Sequence, residues 1–156
     1  MINSPSDIKN YFKEIATGAT KLIALQDFYY GDTLRIIEGG KDSATYPMLW
    51  CETFEAQDFD NHIEFNGAIS IIYACEREDA EAQDTAVDNA FNICTDIISR
   101  LVRDGSGANK LFQFKKTDAK RYVIAGFGID YAFGIRMELK ITGQIDHCYD
   151  AAKWAS

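Results

Sequence analysis

The chain is short of the residues that usually announce chemistry or a membrane. It has two histidines and two prolines among 156 residues. No stretch approaches the ~18 apolar residues that a membrane span requires. The opening residues, Met1-Ile2-Asn3-Ser4-Pro5, have no basic region followed by an apolar one, so no secretory signal is expected. With few prolines and eleven glycines, no long linker is expected either, and there is no internal repeat or low-complexity tract. The four cysteines, Cys51, Cys75, Cys94 and Cys148, form no C-x-x-C pair. They read as reduced, small hydrophobic residues.

Cations are also scarce. Sixteen Lys and Arg face twenty-four Asp and Glu, for a net charge of -8. Wrapping nucleic acid needs the opposite surplus. An acidic surface keeps DNA from adhering and keeps a protein soluble.

Catalytic and ligand motifs are missing as well. His147 and Cys148 are adjacent and would point to opposite faces of a strand, which suits a metal poorly. Asp58-Phe59-Asp60-Asn61 with Glu64 has oxygen ligands at suggestive spacing for Ca²⁺. It lacks the glycine and distal glutamate of an EF-hand loop. Gly126-Phe127-Gly128 has no third glycine and is followed by a strand, so it is no dinucleotide fingerprint. Gly39-Gly40-Lys41-Asp42-Ser43 lacks the spacing of a phosphate-binding loop, and no G-x-S-x-G is present. No residue is assigned as catalytic, cofactor-binding or metal-ligating.

What is present is a packed globular composition, 47% hydrophobic and 13% aromatic, of a length suited to one domain over 1–156. Ser4-Pro5-Ser6-Asp7 reads as a helix start, with a hydroxyl cap, proline at the first position and a carboxylate to suit the dipole. Ile8, Tyr11, Phe12, Ile15, Ala19, Leu22 and Ile23 continue it at helical spacing. Phe28–Tyr30 and Leu34–Ile37 read as short strands, Gly31-Asp32 and Gly39-Gly40 as turns. Tyr46–Phe54 reads as a strand and Glu55–Asn61 as a polar loop. The acidic run Glu76–Glu81 precedes a central helix over Ala80–Arg103. Its apolar stripe is Val87, Ala90, Phe91, Cys94, Ile97, Ile98 and Leu101. Leu111–Lys115 and Arg121–Ala125 read as short strands around a Lys116-Thr117-Asp118 turn.

Two segments stand out, Ile63–Cys75 and Ile129–Thr142. In the first, Ile63, Phe65, Ile69, Ile71, Tyr73 and Cys75 share one face. In the second, Ile129, Tyr131, Phe133, Ile135, Met137, Leu139 and Ile141 alternate with Asp130, Ala132, Gly134, Arg136, Glu138, Lys140 and Thr142. Period two means a strand with one buried face. A strand of this length spans ~45 Å, against the roughly 5–6 residues of an ordinary strand. Either Gly134 bends it, or part of it projects and finishes its burial on a neighbour. The expected fold is therefore α+β: a mostly antiparallel sheet with long strands, packed against an N-terminal helix and one long central helix. Asp146–Ser156 either docks Trp154 or stays loose. Trp50 and Trp154 read equally as interface anchors or, in the case of Trp50, as core.

This layout resembles the tail terminator, or tail-completion, proteins of long-tailed bacteriophages, and within them the version in phages and prophages of Bacteroidetes-type bacteria. Tyr46-Pro47-Met48-Leu49-Trp50 is similar to that group's Y-P-hydrophobic strand. The Ala86–Leu101 helix with Asp96-Ile97-Ile98 is similar to its central helix. Asp130 with Gly134-Ile135-Arg136-Met137-Glu138 is similar to its final strand. The likeness runs over roughly residues 1–148. Cys148 sits where that group often ends in a cysteine-containing tail, though no proline follows it here. The resemblance implies a non-enzymatic virion protein of the tail neck, assembled in the host bacterial cytoplasm, with no cofactor and no membrane partner. It implies a self-assembled ring, usually of six copies, that stops growth of the tail tube and meets the head connector, while DNA passes through without specific binding. Ring and tube contacts would then fall on the long-strand region and the Glu55–Asn61 loop, which makes Trp50, Phe59, Tyr131 and Phe133 the candidate oligomer or partner interface.

Two other readings stand beside it. One is a small-molecule-binding or enzymatic α+β domain with a pocket between sheet and central helix, to which Arg136, Glu138 and Glu64 could converge. The other is a capsid or baseplate accessory protein.

Overall fold

The computed structural model describes residues 1–31, 45–127 and 131–144. The expected Leu34–Ile37 strand, the Gly39-Gly40 turn, Trp154, the His147-Cys148 pair and the 146–156 tail lie outside them.

Helix α1 spans Pro5–Thr17. Ser4 Oγ accepts from the Asp7 amide, and the Asp7 carboxylate in turn accepts from the Asn3 amide and the Ser4 hydroxyl, at 3.0 and 2.8 Å. Two orphan donors are thus satisfied reciprocally. The apolar spacing predicted a helix reaching Ile23, but α1 stops at Thr17. Glu14 is the reason. Its carboxylate folds over Gly18, where a Cβ would collide with it, and accepts from the amide and hydroxyl of Thr20. Leu22 still packs against the core, whereas Ile23 is 89% exposed.

A six-stranded sheet follows: β1 (Asp27–Tyr30), β2 (Met48–Cys51), β3 (Glu55–Asp58), β4 (His62–Ala74), β5 (Ala119–Phe127) and β6 (Ala132–Gln144). The order across it is β1-β2-β4-β6-β5. All pairs are antiparallel except β1 with β2. The long helix α2, Ala80–Asp104, is capped by Asp79, whose carboxylate accepts from the Ala82 amide. The fold is α+β.

β4 and β6 pair along thirteen residues without interruption, from His62 opposite Gln144 to Ala74 opposite Ala132. Gly134 does not bend β6. It sits between Ile72 and Ile124 in register, and a Cβ there would run into the Ile71 carbonyl. Its glycine serves close strand approach instead. The projecting ribbon is also absent. Ile63, Phe65, Ile69, Ile71, Ile135, Met137, Leu139 and Ile141 are all buried within the chain. Phe12 and Ile15 of α1, Ile93, Cys94, Ile97 and Leu101 of α2, and Ile2 and Phe112 complete that core. The length of the strands therefore does not by itself call for a neighbour.

Four other expectations change. The polar segment Glu55–Asn61 is not a loop throughout: β3 lies along the lower half of β4, with Glu55 opposite Asn66 and Asp58 opposite Ile63. The predicted Tyr46–Phe54 strand is in turn shortened to Met48–Cys51, because Phe54 leaves the edge to lay its ring over Gly67, where a Cβ would come within 2.5 Å of it. Leu111–Lys115 is not a strand. It makes one isolated bridge, Gln113 with Thr142, before a 3-10 turn at Lys116–Asp118. In α2, Phe91 is at the margin of the stripe and is 48% exposed, while Ile93 is buried in its place.

Candidate assembly surface

Helices α1 and α2 stand on the same face of the sheet. The other face is apolar at its centre and charged at its side. Met48, Ile72 and Ala132 form a buried cluster there, with Tyr29, Tyr46 and Ile124 against it. Sheet centres buried on both faces lose clean alternation, as Ala68–Ile72, buried at every position, illustrate.

Beside this cluster runs a ladder of ionised groups. Arg136 of β6 reaches over β4 to Glu52, Nε to Oε1 at 2.7 Å and Nη2 to Oε2 at 2.9 Å. Its Nη1 donates to Glu138 at 2.8 Å. Tyr122 of β5 donates its hydroxyl to the other Glu138 oxygen at 3.1 Å, and Lys120 lies over the Tyr122 ring. The hydrogen bond from Arg136 holds the Glu138 carboxyl below the usual carboxylate range, and the bond to Glu52 raises the Arg136 pKa further. Ser70, opposite Arg136 on β4, is small, which leaves the guanidinium its path. Glu64 is farther along the same face, 3.8 Å from Lys140 Nζ and from His62 Nε2. Arg136 and Glu138 are thus brought together and Glu64 is not.

Two open, polar grooves line this side. One, of about 470 Å³, is bordered by Glu52, Asn66, Lys120, Arg136 and Lys140. The other, of about 440 Å³, is bordered by His62, Glu64, Gln113, Lys115 and Asp118. Their charges are largely paired with one another, which suits a surface more than a proton-transfer site. Among the described residues no three His, Cys, Asp or Glu are placed to hold a metal, and no helix is long and apolar enough to cross a membrane. Burial pushes the Cys51 and Cys94 thiols up to about 12, with the Glu52 charge adding to the effect at Cys51. Burial raises Cys75 as well. Thiols in that state are weak nucleophiles at neutral pH.

The candidate interface residues fall in three places. Trp50 is 4% exposed and donates Nε1–H to the Gly31 carbonyl at 2.8 Å, so it is part of the folded chain's own interior. Phe59 is 38% exposed at the turn between β3 and β4, its ring stacked on His62 at 4.7 Å. Tyr131 and Phe133 meet edge to face at 5.3 Å, at the opposite end of the sheet, with Arg77 over Tyr131. Tyr131 has a positive φ of 50°.

Sequence reading missed the edges of the sheet, of which the described residues have three: β1 beyond β2, β3 along the lower half of β4, and β5 beyond β6. β3 pairs only with β4 and all four of its residues are exposed. β5 pairs only with β6, and its Val123 is 64% exposed. Among the described residues no strand lies beside either outer rim. Strand order decides which strand is a rim, and a single sequence does not display it.

A scan of known protein families finds no model that matches the chain, and a search of characterised proteins finds no matching relative.

Proposed function

We propose that this chain is a non-enzymatic structural protein of a phage tail neck, which assembles into a ring on the head-proximal end of the tail tube. In that role it stops tube growth and presents a surface to the head connector. The observation that carries the reading is the exposed nine-residue rim strand β5, with Val123 open to solvent and no strand beside it among the described residues. Such a rim is a template for another chain, and soluble proteins seldom leave one open without use. The likeness in layout to tail terminators supplies the kind of assembly. The net charge of -8 suits a channel through which DNA passes without sticking.

The test is binding to tail tubes. Purified protein mixed with tubes of its own phage should appear by electron microscopy as a ring at one end of each tube, and should arrest further polymerisation. Protein that leaves tube length unchanged and decorates no end contradicts the reading.

A further inference from the structure

Of the three sheet edges among the described residues, β1, β3 and β5, the last two carry opposite charge. From Glu55 to Asp60 the chain has three carboxylates, Glu55, Asp58 and Asp60, and no cation. Their side chains are exposed. From Lys115 to Arg121 it has four cations, Lys115, Lys116, Lys120 and Arg121, and one carboxylate, Asp118. The first stretch is the β3 rim and its turn. The second leads into and begins the β5 rim. They lie on opposite sides of the same sheet, because β6 occupies one side of β4 along its whole length and β3 must take the other.

We propose that the acidic β3 rim of one copy of this chain docks on the basic β5 rim of the next, continuing the sheet from subunit to subunit. The inference rests on the ring reading and names the contact that builds it. Charges are offered on both faces. Glu55 is in register with Asn66 and Lys120 with Glu138, which places both on the face opposite α1 and α2. Asp58 and Arg121, in register with Ile63 and Met137, lie on the helix-bearing face, where Arg121 also donates to Thr95 and the Phe91 carbonyl of its own α2. A chain whose two rims complement each other joins head to tail, and that contact gives a ring when the rotation closes. The rims are also offset along the strands. β3 flanks residues 63–66 of β4, whereas β5 flanks the part of β6 that pairs with residues 67–74. A stagger of this kind is what lets joined sheets tilt and close. Like rims would repel, so the same charges disfavour β5 pairing with β5.

The test is charge reversal at exposed groups of the two edges. Lys116→Glu with Lys120→Glu alters one rim, and Glu55→Lys with Asp58→Lys the other. All four side chains are exposed. Each double variant should keep the wild-type circular dichroism spectrum and raise the concentration needed for assembly by about tenfold or more. The quadruple variant, with both rims swapped, should assemble near the wild-type concentration. Carbodiimide treatment of wild-type assemblies should join Lys116 or Lys120 to Glu55 or Asp58 between chains. Rings indifferent to all three variants, or a quadruple variant that stays dispersed, would overturn the rim contact and leave the ring reading in place. A closed dimer held by those same cross-links would keep the rim contact and overturn the ring. A wild-type chain that stays monomeric overturns both.

Discussion

Arg136 spans β4 to hold both oxygens of Glu52, at 2.7 and 2.9 Å. The pair fixes the point where the chain leaves β2, just before Phe54 turns in over Gly67. Bidentate geometry is what distinguishes Arg from Lys at such a place.

Arg136→Met should therefore lower stability by roughly 1 kcal/mol, a modest figure because the guanidinium is a third exposed and screened by solvent. Arg136→Lys should recover less than half of the loss. Urea denaturation followed by tryptophan fluorescence reads both. Equal stability of Arg136→Met and wild type would show that the ladder contributes nothing.

Gly134→Ala should be far more damaging. The added Cβ meets the Ile71 carbonyl, three positions from one end of the longest strand pair. Overpacking a closed site of this kind costs about 1–3 kcal/mol or more, and the expected result is a melting point lowered by several degrees. Had Gly134 marked a bend, as its place in a long strand first allowed, alanine would have been tolerated.

Acid should loosen the molecule from its carboxylates. Hydrogen bonds from Asn3 and Ser4 hold Asp7 below its ordinary value, and those from Thr20 do the same for Glu14. Burial opposes ionisation of Asp104, yet hydrogen bonds from Arg103 and Tyr11 bring its pKa down. Folded values below the unfolded ones mean that the contribution is complete above about pH 5 and is lost as pH falls through the depressed values. Thermal melts should be flat between pH 6 and 8 and fall below about pH 4. Tyr11→Phe, which removes the 2.9 Å hydrogen bond to Asp104, should reduce stability at pH 7 by about 1 kcal/mol.

Cys51 and Cys94 should resist alkylation in the folded protein at pH 8 and react fully in urea, because burial keeps both thiols protonated. Peptide mapping after iodoacetamide distinguishes them from Cys75, which is half-buried. Rapid labelling of Cys94 without denaturant would mean that α2 opens readily from the sheet.

Much of this fold was legible in the sequence because it is local. The Ser4 cap, the acidic approach to α2 and the alternation of β4 and β6 each depend on near neighbours, and each appears within a residue or a few of where it was expected. What was not legible depends on contacts between distant residues. Glu14 ends α1 through Thr20, and Phe54, laid over Gly67, cuts the expected Tyr46–Phe54 strand short at Cys51. Phe91 has the hydrophobicity of a core residue, yet it lies beneath the Arg121 guanidinium at 4.1 Å on the margin of α2. The long strands first suggested a ribbon needing a neighbour. Their apolar faces are filled from within, and the case for assembly passes instead to the rims β3 and β5, whose exposure only the strand order reveals.

The most direct test of that case is the mass of the wild-type protein across a wide concentration range, by sedimentation or light scattering. A closed ring predicts a fixed multiple of the 17.5 kDa chain that persists on dilution, and the rim contact predicts that it falls apart when one rim is charge-reversed. A single 17.5 kDa species at the highest attainable concentration would contradict it.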